Sequence, residues 1–364
     1  MHHTDDRIDS LDIMIALPSM VIAVGILSFP AILAQSTKYI DGWISIVLGG
    51  LGSLFFTWII AKLAVQFADQ PFLTYASKLV TKPVAYIITI LFILHGIQLT
   101  AYEITMISAV SHQYLFEQTP YEVVALVFFL VVIYAVSGSR SGIMRINALS
   151  LPLIFFITGA LIFFSLGFME SRNVLPLFTT DFKGYVQGTI DSGLAFSGID
   201  ILFFYTFFVK DPENVPRRAV FGMSWVVILY LFIYLTCIAV FGYAATQVIQ
   251  YPFIELAQAV EIPGGFFERM EAVFFVIWIT AIFTTTMMGF DVTVLALQSM
   301  FPKRKKQTFI FTLSPIIFFI AMIPKNHIDA MKFAKIVGAT AWMLPIVVAV
   351  LLWMLYGARR GIKK

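Results

Sequence analysis

The sequence predicts an all-α integral membrane protein: ten transmembrane helices in a 5+5 inverted repeat, with discontinuous helices 1 and 6. Three observations lead there. Hydrophobic residues make up 60% of the 364 and charged residues only 12%, about half the charge of an ordinary soluble domain. The apolar residues fall in ten long runs. Two of those runs, the first and the sixth, are interrupted at comparable places. Length alone suggests two soluble domains, but 37 Phe, 14 Tyr and 6 Trp with so few charges leave no way to cover a water-facing surface.

The runs are roughly 11–35, 42–67, 83–110, 120–137, 144–168, 185–209, 218–243, 268–298, 308–323 and 335–357. Each approaches the ~20 mostly apolar residues a crossing helix needs. They are continuous rather than short and alternating, which argues against a β-barrel. Met1 to Asp12 is polar and holds Asp5, Asp6, Asp9 and Asp12. The run after it is too long for a signal-peptide core and lacks a cleavage site, so it reads as a retained first span.

Orientation follows from loop Lys and Arg. With ten spans, 17 of the 24 basic residues fall on the side of the termini, which places both termini in the cytoplasm. The basic run 303–306 and the tail 359–364 read as topology determinants or anionic-lipid contacts. The net charge of +3 gives no reason to expect nucleic acid. The outward loop from Tyr243 to Phe267 is long; Pro252 to Val260 reads as a short surface helix ended by Pro263-Gly264-Gly265. It is either a lid or plain cover.

The first interruption reads Val24-Gly25-Ile26-Leu27-Ser28-Phe29-Pro30, the second Gly193-Leu194-Ala195-Phe196-Ser197-Gly198-Ile199-Asp200. Each opens a five-span half, 9–168 and 185–357, within one domain of residues 1–364. Five is odd, so the second half starts from the opposite side and the repeat is inverted. In hydrocarbon every backbone N–H and C=O must be bonded. Unwinding a span at mid-depth bares such groups. N–H groups at a half-helix start attract a carboxylate, and C=O groups at the preceding end attract an ammonium, Na⁺ or a proton-bearing group. Paired breaks therefore suit a zwitterion such as an amino acid. Ser197-x-x-Asp200 has the form of a capping box, so Asp200 is either a helix-start device or a proton site.

Ionisable residues inside spans are few, and each is a candidate site. His95, Gln98, Leu99, Tyr102 and Met106 share one face of the third span, with Glu103 about 100° further round from Tyr102. His95, Gln98 and Tyr102 either line a polar cavity or make interhelical hydrogen bonds. Glu103 either accepts a proton or pairs with a cation such as Arg269. Asp291, near the cytoplasmic end of the eighth span, reads as interfacially solvated. Thr284, Thr285 and Thr286 are expected to bond back to their own helix. No phosphate loop, CxxC, HExxH or GxSxG occurs, so neither an enzyme, a metal site nor a cofactor is expected. Cys237 stands alone and reads as a buried inert thiol.

These residues carry a resemblance. Gly25-Ile26-Leu27-Ser28-Phe29-Pro30 and Phe196-Ser197-Gly198-Ile199-Asp200 resemble the unwound segments of amino acid/polyamine/organocation permeases. Together with Asp41-Gly42-Trp43-Ile44, Asn173-Val174-Leu175-Pro176 and Lys210-Asp211-Pro212, they make the chain similar to the B subunit of bacterial spore germinant receptors, the spore permease family, over nearly its whole length. The resemblance implies a nutrient-sensing subunit of the spore inner membrane. It would work with an A subunit and a lipoprotein C subunit and bind a small nutrient, often an amino acid. It implies a carboxylate near Val24, Gly25 and Ile26, an amino group near Ile22, Leu194 and Ser197, and Phe196 in the pocket wall. Ala23-Val24 stands where permeases usually carry Ser-Gly, and Val24 narrows access to the backbone. The alternatives are an autonomous proton- or sodium-coupled amino acid transporter and an ion-conducting element of a complex.

Overall fold

A computed structural model describes residues 7–23, 25–259 and 270–362. The helices are α1 (Ser10–Val21), α2 (Gly25–Ser36), α3 (Gly42–Val65), α4 (Phe72–Leu79), α5 (Lys82–Tyr114), α6 (Tyr121–Ser137), α7 (Arg140–Ser165), α8 (Phe182–Asp191), α9 (Ile201–Tyr205), α10 (Val215–Phe241), α11 (Tyr243–Thr246), α12 (Pro252–Ala259), α13 (Met270–Met300), α14 (Lys306–Ala321) and α15 (His327–Ile362). Among the described residues six single helices, built on α3, α5, α7, α10, α13 and α15, are long and apolar enough to cross a bilayer, and the bent pair α1 and α2 makes a seventh. α6 and α14 are apolar but shorter, at 17 and 16 residues; they are the fourth spans of the two predicted halves. The sixth predicted span divides into α8, a 3₁₀ turn at Leu194–Phe196, and α9. The ten predicted spans thus all have helical counterparts, with α4, α11 and α12 added between them.

Termini of the helices follow local chemistry. Ser139 Oγ accepts from the Gly142 N–H (3.1 Å) to start α7, satisfying one donor that a helix start leaves unpaired. Asn173, from the segment Asn173-Val174-Leu175-Pro176, donates to the Ala239 carbonyl (3.0 Å) in the last turn of α10. α12 does form within the long loop, but Pro252, Phe253, Ile254, Leu256 and Ala257 are buried, so it is packed into the bundle rather than laid on its surface. The expected stop at Pro263-Gly264-Gly265 lies outside the described residues.

Packing partners come in matched pairs. α3 lies against α10, and α5 against α13. α1 on α10 is matched by α8 and α9 on α3, and α7 on α13 by α15 on α5. These four pairings exchange when each element is replaced by its counterpart in the other run of five spans, as in an inverted repeat.

Two aspartates make the same exchange. Asp41, which precedes the second span, accepts from the backbone N–H groups of Phe178 (2.7 Å), Thr179 (2.6 Å) and Thr180 (2.8 Å), just ahead of α8. Asp211, which follows the sixth span, accepts from the Ser10 N–H (2.8 Å) at the start of α1. Each broken span is therefore pinned at its start by an aspartate beyond the end of the other. The Ile8 N–H also bonds the Phe208 carbonyl (3.0 Å), and Tyr356 of α15 donates to Gln66 at the end of α3 (2.9 Å). Both described chain ends thus lie on one face of the bundle, the terminal face.

Burial pushes the Asp41 carboxyl up, but its backbone donors outweigh this and hold it below the usual 3.8. A carboxylate lowered by folding stabilises the protein above its unfolded value, and that stability is lost as pH falls below 3.8 through the folded value. Asp41→Asn is expected to cost about 1.5–3 kcal/mol at neutral pH. Its thermal unfolding temperature should also vary less than that of the wild type in this acid window, which unfolding scans in detergent at stepped pH measure.

Candidate functional site: a closed polar cavity between the broken spans

The first break falls slightly earlier than Val24-to-Pro30 suggests. α1 stops at Val21, Ile22 turns extended (φ −82°, ψ 93°), and α2 sets off from Gly25 at 57° to α1. Pro30 lies inside α2 and Pro18 inside α1, so neither proline marks the gap. Val24 lies outside the described residues. The carbonyls at the end of α1 have partners. Pro18 O accepts from the Ile22 N–H (2.8 Å), Ser19 O from Thr285 Oγ1 (2.8 Å), and Val21 O from the Tyr230 hydroxyl (3.0 Å). Thr284 and Thr286 do bond back within α13, to Ala281 O and Ile282 O. Thr285 crosses to Ser19 O of α1, and Thr284 Oγ1 reaches the same carbonyl at 3.4 Å.

The second break falls where the sequence places it. α8 ends at Asp191, Ser192 caps it, and a 3₁₀ turn carries the chain through Leu194 to Phe196. Gly198 has φ +109°, a region that side chains other than glycine avoid. Asp200, not Ser197, is the N-cap of α9, and its side chain makes no capping bond, so the expected Ser197–Asp200 capping box does not form. Phe196 is buried and packs its ring on Phe29 (6.3 Å) and Tyr230 (5.6 Å), a wall behind the gap.

Between the breaks lies a closed cavity of about 20 Å³, lined by Met20, Val21, Ala23, Gly25, Leu99, Tyr102, Glu103, Ser197 and Thr285. That is room for about one water, so the described state is shut. Of the expected ligand residues, Gly25, Ser197 and Tyr102 meet here, together with Glu103, the expected proton or ion site. Ile22, Ile26 and Phe196 are buried close by in sequence without lining it, and Gln98 is half-buried outside it. Tyr102 and Glu103 both reach the cavity although they are neighbours on α5. Glu103 is 4% exposed, and its Oε2 has no hydrogen-bond partner among the described residues. The expected partner Arg269 lies outside them. Met20, Val21, Ala23, Leu99 and Thr285 were not foreseen as lining residues. A larger groove of about 470 Å³ between α5, α6 and α13 is walled by Ile107, Val127, Phe283 and similar side chains and offers a charged ligand little.

Towards the terminal face the cavity gives way to buried polar groups. His95 does not line it; its Nδ1 lies 3.2 Å from Thr340 Oγ1 on α15. His95 and Asp200 are within electrostatic reach of each other, and His95 Nε2 and Asp200 Oδ1 lack hydrogen-bond partners among the described residues. Further along sits a buried ionic cluster. Asp291 is fully buried, not interfacially solvated, because it is met by Arg140 Nε (3.2 Å), Lys306 Nζ (2.9 Å) and the Tyr205 hydroxyl (2.7 Å). Lys306, expected as part of a topology signal, is thus a structural cation. The Arg140 guanidinium also lies 4.9 Å over the Phe208 ring.

A helical bundle with two spans broken around a shut polar cavity defines a multi-pass membrane protein of the transporter type. Solved structures share the fold. MhsT in complex with L-phenylalanine superposes with a TM-score of 0.72 at 14% identity, over 94% of this chain and 87% of that one. Mhp1, a nucleobase-cation-symport-1 family transporter in a closed conformation with bromovinylhydantoin bound, gives 0.66 at 13% identity, over 94% and 78%. The family is narrower. The spore permease model, described as spore germination protein, matches residues 7–330, and the chain belongs to that family. Spore germination protein GerLB of Bacillus cereus is 41% identical over 324 residues, 88% of this chain and 87% of the relative.

Proposed function

We propose that this chain is the nutrient-sensing, permease-like subunit of a spore germinant receptor, set in the spore inner membrane with the terminal face in the cytoplasm. It binds a small amino-acid-like germinant in the cavity between the broken spans and passes the event to an A subunit and a lipoprotein C subunit. The cavity itself carries the reading: both breaks and the carboxyl of Glu103 converge on one enclosed volume. The ligand carboxylate is assigned to the start of α2 at Gly25. Ser197 and Tyr102 supply neutral hydrogen bonds. Glu103 and Asp200 are the candidates for coupling to a proton or an ion. Binding biases an open-to-shut equilibrium only by the ligand's differential affinity for the two states.

The test is thermal stabilisation of the purified chain by each of the twenty L-amino acids. At least one should raise the unfolding temperature, and Gly25→Trp should abolish that rise. A Cβ at Gly25 already meets Ala195 Cα and the Tyr230 hydroxyl at 3.3 Å, so an indole there must push the two breaks apart. An undiminished shift in the variant removes the site. The likeness to transporters favours a second reading, autonomous amino acid transport; sustained gradient-driven accumulation in liposomes would establish it and end the pure-sensor reading.

A further inference from the structure

We infer that Glu103 is the counter-ion for a ligand ammonium group, so that the cavity selects small compounds bearing an amine beside a carboxylate. The inference rests on the binding reading above and sharpens it to a ligand class and a residue.

A broken span offers its bare carbonyls to a cation, but here Tyr230 and Thr285 donate into two of the carbonyls that end α1, Val21 O and Ser19 O. The Ile22 and Ile26 N–H groups bond two more, Pro18 O (2.8 Å) and Ala23 O (3.4 Å). Much of the carbonyl cradle is therefore satisfied from within the protein. Glu103 is the reverse case. Its carboxyl faces the cavity, it is 4% exposed, and Oε2 is without a hydrogen-bond partner among the described residues. No Lys, Arg or His among them lies within ion-pair distance of it. The titratable groups in its electrostatic reach are the hydroxyls of Tyr102, on α5, and Tyr230, on α10, and neither is a cation.

A buried carboxylate is tolerable as an anion only beside a positive charge. Gly25, which lines the same small volume, begins α2, the end of a helix that favours negative charge. An acid on one wall and a helix start on another match the two ends of an amino acid. A compound lacking the amine loses the ion pair.

The experiment compares each amino acid that stabilises the purified wild-type chain with the 2-hydroxy acid bearing the same side chain, L-alanine with L-lactate for example. Both are titrated against wild type, Glu103→Gln and Glu103→Asp. Wild type should prefer the amine by about ten- to hundredfold, the range of a charge-assisted hydrogen bond. Glu103→Gln should lose most of that preference while keeping its unliganded unfolding temperature, and Glu103→Asp should retain part of it. A Glu103→Gln protein that still discriminates amine from hydroxyl as wild type does overturns the assignment and leaves the pocket standing. Wild type that binds none of the amino acids overturns the pocket reading itself.

Discussion

Alanine at Asp291 is expected to destabilise the protein by about 3–5 kcal/mol, the usual cost of removing one partner from a buried ion pair. The carboxylate is fully buried and is shared between Arg140 and Lys306, whose side chains are 7% and 13% exposed. Without it two cations stay behind. Arg140 keeps Gln298 Oε1 (2.6 Å) and Lys306 keeps the Gly138 carbonyl (3.1 Å), neither of which carries a negative charge. The loss belongs to the removed negative charge rather than to missing packing. The triple replacement Asp291→Leu, Arg140→Met, Lys306→Met should therefore recover most of the stability, because a well-packed apolar substitute for a buried charge cluster is often neutral or better. Thermal unfolding in detergent of wild type, Asp291→Ala and the triple variant decides this. A triple variant as unstable as the single one would move the effect from charge to shape.

The cluster also bears on function. Asp291 sits on α13, Arg140 on α7, Lys306 on α14 and Tyr205 at the end of α9. Four elements from distant parts of the chain meet on the terminal side of the cavity. α9 is the second piece of a broken span, so the Tyr205 bond ties the moving part of the site to three full helices. Opening the cavity towards this face has to separate groups that are costly to separate.

What the sequence reveals of this arrangement follows a physical division. The spans are legible because hydrocarbon demands long apolar helices, and the breaks because glycine and serine puncture them. The second break is placed well, since Gly198 needs its positive φ. The first is misplaced by a few residues, because Pro30 draws attention although it is absorbed inside α2. Glu103 is legible as a residue out of place in lipid. That Leu99 and Thr285 share its cavity is not legible. α5 and α13 run through the middle of the bundle and are apolar on all sides, so periodicity gives them no preferred face and their rotation is unreadable. Asp291 is misread for a related reason: its partners lie 151 residues before it and 15 after it, and no local pattern announces them. Asp41 and Asp211 are visible as landmarks of a resemblance, but their shared task emerges only when the two halves are seen crossing.

A single methyl group at Gly198 is expected to silence any ligand response, even though alanine is the mildest replacement available. Two costs coincide there. The backbone at φ +109° lies where an L side chain is strained by roughly 1–3 kcal/mol. The added Cβ also comes within 2.7 Å of Met20 Cγ, and Met20 is a wall of the cavity. If the backbone relaxes to relieve the strain, Ser197 is carried away from the site. If it holds, Met20 is driven into a volume that has room for about one water. Either way the geometry between the breaks is lost. Gly25→Ala makes the control. Its Cβ meets Ala195 Cα and the Tyr230 hydroxyl at 3.3 Å with no positive φ, so a shift of a few tenths of an ångström accommodates it and a weakened response should survive. Amino acid-induced thermal shifts of the two alanine variants, read beside their unliganded unfolding temperatures, give the comparison. A Gly198→Ala protein that responds as strongly as Gly25→Ala would mean that the second break does not shape the pocket, and the site would then have to be rebuilt around α1, α2 and α5 alone.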